Sequence, residues 1–444
     1  MNNRLAQNFN IFSLVKFTLP TMVMLVFMSM YQMVDAGFVA NYVGPNALSA
    51  LNIVYPVPSI VLAISIMLAT GSSAIIAKNM GEKKDREAKE NFSLIVLVGL
   101  ILGVVFAVVG LLFIKQIILL LGATPVLYED CYNYLWILVL FTPLAVFQML
   151  FQTFFVTAGR PKVGLTFTVI GGCTNIVFDY IFIVIFHMGV SGAAVATVMG
   201  YAVPALAGFS YFLFNRKGTL YLVKPVFRRR VLFYTCTNGS SEMVNNIAIA
   251  ITTFLFNILM LKYAGEAGVA AITAVLYAQF LMTSIFMGFS SGVAPVISYN
   301  YGKQNKEQLQ KVFKISICFV GITSVLVFAI SEVFASYVIR VFASPDSEVF
   351  QIATSGFKLF SVSFLFTGIN IFASGMFTAF SDGKVSAIIS FLRTFVFLVI
   401  FLLVLPLIWD INGIWLAVPA AEGLALIISS YYLIVRRKIY HYTK

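Results

Sequence analysis

The chain contains 444 residues, of which 60% are hydrophobic and only 10% are charged, and it carries a net charge of +12. A soluble domain carries about 25% charged residues, so this composition excludes an ordinary water-soluble fold. Apolar runs long enough to cross a hydrocarbon core of about 30 Å recur along the whole sequence. Because lipid offers the backbone no hydrogen-bond partners, these runs must form helices, and their lack of two-residue alternation excludes a transmembrane β-barrel.

The apolar runs predict twelve membrane helices, and no small-residue cleavage site of a signal peptide follows the first of them. The predicted helices span residues 12–40, 47–78, 92–116, 126–158, 163–186, 190–215, 231–262, 268–299, 312–340, 348–380, 384–408 and 412–435. Several are longer than the bilayer requires, so we expect tilted or extended helices.

The basic residues alternate between successive connections. One set of connections and both termini hold nearly all of the Lys and Arg side chains, whereas the other set holds only Lys115, Lys262 and Arg340. By the positive-inside rule, the basic side faces the cytoplasm, which places both termini there. The positive charge therefore describes the orientation in a membrane and does not indicate nucleic-acid binding.

The sequence is internally duplicated. A shift of 221 residues superposes identical residues, among them Gly44 on Gly265, Gly71 on Gly292, Asn79 on Asn300 and Phe92 on Phe313. Each half enters from the cytoplasm and contains six predicted helices, so the two repeats are parallel. We therefore predict an all-α membrane protein with two six-helix lobes, 1–225 and 226–444. Two such lobes can enclose a cavity that opens to either side, which favours a transporter over a channel or a receptor.

No enzymatic machinery is predicted. The phosphate loop G-x-x-x-x-G-K-[ST] does not occur. Gly288–Gly292 matches the G-x-S-x-G pattern of serine hydrolases, but it lies inside a predicted helix, and the chain has only two histidines. Small residues that allow close helix contact explain this segment better. The four cysteines form no C-x-x-C pair, so we expect packing residues and no cofactor.

Polar residues in the first half form a candidate cation site. Asp35 follows Pro20 by fifteen residues in the first predicted helix, and Asp179 follows Asn175 by one helical turn in the fifth. Together with the hydroxyl of Thr197, these groups could ligate Na⁺ or hold a proton. The alternatives are that Asp179 caps or packs locally and that Asp35 lies in the outer mouth of its helix.

The second half has its own polar residues at membrane depth. Glu242 is followed by Asn245 on the same helical face, and this face is either the lining of a cavity or a solvated helix end. Arg393 and Glu422 fall near the middle of the last two predicted helices, and we expect them to form an ion pair.

Short motifs recur in a fixed order along the chain. They are Val34–Val39, Ala47–Ala50, Asn79–Gly81, Asn175–Tyr180, Gly189–Thr197 and Gly292–Pro295. Each motif is weak alone, but their order and spacing over twelve helices resemble the multidrug and toxic compound extrusion (MATE) family, and its prokaryotic DinF- and MepA-like branch in particular.

The resemblance implies an antiporter of a bacterial or archaeal cell membrane that exports cationic lipophilic drugs and dyes while H⁺ or Na⁺ flows inward. Amphipathic cations and the lipid bilayer would be its partners, and we expect a monomer. The positions that match the coupling-cation site of this branch are Asp35, Asn175, Asp179 and Thr197. The position of Pro20 is tied to bending of the first helix, and Gln152 falls where the family can contact substrate. Glu242 resembles an acidic position of the NorM-like branch.

Other functions stay open. A lipid-linked precursor flippase of the same broader superfamily would need a basic cavity, for which Lys358 and Arg393 are the candidates. The acidic groups of the first half speak against it. A sensor or scaffold would need a signalling domain, which the short tails and loops do not supply.

Overall fold

The computed structural model describes residues 3–443, and every regular element in this range is helical. The first half contains α1 (Ile11–Phe38), α2 (Pro45–Val54), α3 (Pro56–Gly81), α4 (Asp85–Leu112), α5 (Ile114–Leu120), α6 (Tyr128–Leu140), α7 (Thr142–Thr157), α8 (Pro161–Asp179) and α9 (Gly189–Phe214). The second half contains α10 (Arg229–Gly302), α11 (Lys306–Val333), α12 (Ala335–Arg340), α13 (Glu348–Ser361), α14 (Phe364–Ala379), α15 (Gly383–Phe391), α16 (Leu398–Val404), α17 (Pro406–Val435) and α18 (Arg437–Tyr440). Three π-helical segments, Val39–Val43, Tyr180–Ile185 and Leu392–Phe397, extend α1, α8 and α15.

These helices supply twelve membrane spans within the described residues. Nine helices are long and apolar enough to cross a membrane, and two pairs, α6 with α7 and α13 with α14, each form one further span bent by 55°. α10 counts once among the nine, but it breaks at Gly265 into two arms that are each long enough to span. The all-α fold and the predicted number of helices are therefore confirmed.

Two spans are sharply bent where the sequence predicts a continuous helix. Residues 126–158 form α6 and α7 with a sharp bend between them, and residues 348–380 form α13 and α14 with the same bend. Pro143 stands in the first turn of α7. A proline there cannot donate the hydrogen bond that would continue α6, so the chain begins a new helix at this point.

The duplicated residues occupy equivalent turns. Gly44 ends the π-helical extension of α1 with a φ of 116°, and Gly265 divides α10 with a φ of 62°. These conformations are open to glycine because it has no Cβ atom. Lys83 and Gln304 are also 221 residues apart, and they share a left-handed φ of 61° and 57° just after α3 and α10. Equivalent sequence positions thus make equivalent turns.

Contacts group the described residues into two compact units. Unit 1 consists of the residues through Gln7 and of Val23–Gly239, and unit 2 consists of Asn8–Met22 and the residues from Ser240 onward. The first parts of α1 and α10 are therefore grouped apart from the remainder of the same helices. The lobe boundary between residues 225 and 226 stays a prediction.

In each unit, a segment after a long helix folds back over other helices of the same unit. After α9, Leu220 is 1% exposed, and the backbone N–H of Val223 donates to Ser93 Oγ at 2.8 Å. After α17, Tyr442 is also 1% exposed, and its hydroxyl donates to a carbonyl of α17 at 2.6 Å. We call residues 437–443 the C-terminal strap.

Candidate functional site

Helices α1, α7, α8 and α9 of unit 1 surround a small polar cavity of about 50 Å³. Three predicted site residues, Asp35, Asn175 and Thr197, line it. The other polar lining groups are Tyr31, Gln32, Gln148, Thr168 and Tyr201. One water molecule occupies about 30 Å³ in the liquid, so this cavity suits a small ion or a water molecule and excludes a drug-sized ligand.

Glycines allow the cavity walls to come together. A Cβ atom on Gly200 of α9 would lie 2.9 Å from Cβ of Asn175, and one on Gly171 of α8 would lie 2.7 Å from the carbonyl oxygen of Gly200. A Cβ atom on Gly172 would lie 3.0 Å from the ring of Tyr31 on α1. Small residues are what permit such close approach of membrane helices. These glycines therefore bring Asn175 and Tyr31 into the same cavity.

The two carboxylates of the predicted cation site are adjacent. Asp179 is fully buried, and Asp35 lies within interaction distance of both Asp179 and Asn175. Among the described residues, neither oxygen of Asp179 has a hydrogen-bond partner, and the same holds for Oδ1 of Asp35 and both polar side-chain atoms of Asn175. Two ionised carboxylates cannot hydrogen-bond to each other because both only accept. A shared proton or a small cation between them would remove this cost of burial.

Thr197 lines the same cavity as Asp35 and Asn175. Its hydroxyl donates to the carbonyl oxygen of Ala193 at 2.9 Å, which leaves the lone pairs of Oγ1 available. Tyr134 of α6 lies near Thr197. Within residues 3–443, no group of three or more His, Cys, Asp and Glu side chains could hold a metal ion. A bound Na⁺ would thus need amide and hydroxyl oxygens in addition to the two carboxylates.

Irregular helix accompanies both carboxylates. Asp179 is the last residue of α8, and the π-helical segment Tyr180–Ile185 follows it directly. Asp35 lies one turn before the π-helical segment Val39–Val43. π-helical turns are rare and are found frequently at functional sites, where they change the direction in which side chains point.

Sequence analysis missed the five other polar lining residues, and three of them lie four residues from a predicted one. These three are Tyr31, Gln148 and Tyr201. Residues four apart share one face of a helix, so the positions four residues away from Asp35, Gln152 and Thr197 could have been predicted as lining residues. Gln152 itself donates to Thr168 at 3.0 Å and lies behind the cavity wall. Its contact with substrate stays a prediction.

The remaining predicted residues form a second cluster, in unit 2. Arg393 Nη1 lies 3.8 Å from Glu422 Oε1, with both side chains 10% exposed, which confirms the predicted pair. Arg393 Nη2 lies 3.5 Å from Asn245 Oδ1, and Glu422 accepts a hydrogen bond of 2.7 Å from Asn370. Glu242 lies near Arg393. The part of Glu242 and Asn245 in a substrate cavity stays a prediction.

Pro20 lies inside α1, which continues through it. The grouping of α1 changes from unit 2 to unit 1 between Met22 and Val23, just beyond this proline. A proline inside a helix removes one backbone hydrogen bond and favours a kink. Pro20 is therefore placed where flexing of α1 would separate its two parts, and the bending itself stays a prediction.

Comparison with known proteins gives one consistent result. The MatE family model matches residues 20–181 and 243–404, once in each half. The multidrug export protein MepA of Staphylococcus aureus (strain bovine RF122 / ET3-1) is 24% identical over 415 residues, which are 93% of this chain and 91% of the relative. A solved MATE structure in complex with MaL6 superposes with a TM-score of 0.93 at 23% identity and covers 100% of both chains. An outward-facing multidrug resistance MATE family transporter of the MOP superfamily gives a TM-score of 0.91 at 24% identity over 97% of this chain and 96% of its own.

Proposed function

The chain belongs to the MATE family of multidrug efflux transporters, and we propose that it is a secondary antiporter that exports cationic lipophilic compounds in exchange for H⁺ or Na⁺. The observation that carries this proposal is the adjacent pair of Asp35 and the fully buried Asp179, beside a cavity of about 50 Å³. Among the described residues, three of their four carboxylate oxygens are buried without a hydrogen-bond partner. A pair of this kind needs positive charge, and both coupling ions supply it.

The small cavity of unit 1 serves as the coupling site in this proposal. Asp35 and Asp179 share a proton, or they bind Na⁺ together with the oxygens of Asn175 and Thr197, which are hard donors suited to such an ion. A drug needs a pocket of about 300–1,000 Å³, so the exported compound must bind elsewhere. Antiport then follows if the cation and the compound favour different conformations of the transporter.

The orientation proposed from the basic residues fits this direction of transport. With both termini in the cytoplasm, the compound enters from the cytoplasm or the inner leaflet and leaves outside. The cation then moves inward down its gradient. We propose that one chain suffices, because the proposed coupling site is built from helices of unit 1 alone.

The flippase alternative has less support. It needs basic groups that are free to hold a pyrophosphate, but Arg393 is paired with Glu422 and Lys358 is exposed. Transport of a lipid-linked anion would therefore have to break an ion pair that lies deep in unit 2.

Vesicles reconstituted with the purified protein test the proposal. Movement of ethidium is measured under an imposed proton gradient and, separately, under a Na⁺ gradient, for the wild type, Asp179→Asn and the exposed control Asp346→Asn. We expect one gradient to drive dye movement in the wild type and the control, and Asp179→Asn to abolish it. Absence of dye movement under both gradients would reject the proposed antiport, and driven movement that survives Asp179→Asn would reject the coupling site.

A further inference from the structure

A second and much larger cavity lies in unit 2, between the two arms of α10 next to their break at Gly265. Its volume is about 680 Å³, which falls within the range of pockets that hold drug-sized ligands. Lining residues come from the first arm (Phe254, Asn257, Leu261), from the second arm (Glu266, Tyr277) and from the segment after α12 (Phe342). We call it the α10 cleft. None of these residues belongs to the cavity of unit 1 or to the cluster around Arg393.

Aromatic rings form a flat wall of the α10 cleft. The rings of Tyr277 and Phe342 are stacked, with centroids 6.1 Å apart and planes inclined by 7°. Phe254 stands across from them on the other arm and is 68% exposed. Parallel rings beside an accessible ring favour a planar aromatic ligand, and the faces of such rings attract cations.

The polar groups of the α10 cleft select a positive charge. Glu266 is the charged residue of the lining, it is exposed, and no basic side chain within residues 3–443 forms an ion pair with it. Asn257 Oδ1 is buried, and no donor in the described part of the chain reaches it. A carboxylate and an amide oxygen that both lack donors suit an ammonium or amine group and repel an anion.

The duplication indicates that these features belong to the second half. The residue 221 positions before Glu266 is Pro45, and the residue 221 positions before Tyr277 is Pro56. The acid and the aromatic wall therefore do not follow from the helix–turn–helix architecture that both halves share. They occur in only one of the two copies.

We propose that the α10 cleft is a binding site for planar, amphipathic organic cations, in which Glu266 pairs with the cationic nitrogen and the Tyr277–Phe342 wall stacks on the ring system. Gly265 contributes by turning the chain so that Glu266 begins the second arm and faces the first. The identification of this ligand as an exported compound rests on the proposed function, whereas binding depends on the cleft alone.

Binding is measured on the full-length protein in detergent with a photoreactive azide derivative of ethidium. Peptide mapping locates the label, and fluorescence titration gives Kd. We expect label on residues 254–277, Kd about tenfold weaker in Glu266→Gln, and Kd about threefold weaker in Phe254→Ala. The control Glu348→Gln removes an exposed acid at the start of α13, outside the cleft, and should leave Kd unchanged. In the wild type, a neutral analogue of the same ring size should bind about tenfold more weakly than the cation. In Glu266→Gln, this difference should disappear.

Two outcomes overturn the inference. The first is equal labelling and equal Kd for Glu266→Gln and Glu348→Gln. The second is equal binding of the cation and its neutral analogue, which would indicate an apolar groove filled by lipid chains. The proposed function is judged separately from vesicle transport. If the label lies in the cleft but no gradient drives transport, the binding site is supported and the antiport is rejected. If a gradient drives transport but Glu266→Gln leaves Kd unchanged, the antiport is supported and the binding site is rejected.

Discussion

Gly71 of α3 offers a sharp test of how closely helices pack in unit 1. A Cβ atom on Gly71 would overlap the backbone carbonyl of Thr235 on the first arm of α10, and it would lie 2.8 Å from the backbone nitrogen of Gly239. Both obstacles are backbone atoms, so no side-chain rotation can relieve the contact. The two helices would have to separate before Gly71→Ala could be accommodated.

The magnitude follows from comparison with two other glycines. Ordinary contacts lie at about 3.5–4 Å, so the alanine at position 71 overpacks strongly and should cost about 3 kcal/mol, against a gain of about 1 kcal/mol in helix propensity. At the duplicated position, a Cβ atom on Gly292 would lie 3.1 Å from Cβ of Thr18, so cost and gain should nearly cancel. Gly321 of α11 has no atom within 4 Å of the added methyl group, so Gly321→Ala should be stabilising.

Thermal unfolding of the purified protein in detergent, followed by intrinsic fluorescence, measures these effects. The net loss of about 2 kcal/mol at position 71 should lower Tm by about 4 °C, with Gly292→Ala near the wild type and Gly321→Ala at or above it. A Tm for Gly71→Ala that equals or exceeds that of Gly321→Ala would refute the close contact between α3 and α10.

Three further predictions concern other parts of the structure. Burial raises the pKa of the Tyr440 and Tyr442 hydroxyls in the C-terminal strap above the ordinary value of about 10, so the stability they supply should be complete below about pH 10 and lost progressively above it. Tyrosinate absorbance combined with proteolysis of the strap tests this, and ionisation together with the exposed tyrosines would contradict it. Arg393→Met should lower the free energy of unfolding by about 3 kcal/mol because it leaves Glu422 buried without its ion pair, and adding Glu422→Gln should recover part of the loss. A double mutant that is no more stable than the single mutant would show that the pair does not act as a unit. Gly265→Ala should cost about 1–3 kcal/mol from backbone strain alone, since its φ is 62° and nothing lies within 4 Å of the added methyl group; an unchanged Tm would exclude that strain.

The sequence by itself determined the membrane class, the number of spans and the duplication. Lipid as a solvent imposes the helices directly, because an apolar run in lipid has no other way to satisfy its backbone. Because of the duplication, equivalent positions in the two halves adopt similar backbone conformations. Gly44 and Gly265 turn the chain at equivalent places because both copies need a backbone conformation that side chains disfavour. Charge alone also predicted that Arg393 and Glu422 form an ion pair, because burying either charge at membrane depth without the other costs free energy.

Only the tertiary structure decided which polar groups meet. The sequence predicts Asp35, Asn175 and Thr197 as site residues, but it does not predict that Gln148 lines their cavity while Gln152 lies behind the wall. That choice depends on how α7 and α8 are rotated against each other, which no periodicity within one helix records. Two further features also depend on tertiary contacts. Residues 8–22 group with unit 2 because they contact helices that lie far along the chain. The α10 cleft forms because the two arms of α10 turn back on each other.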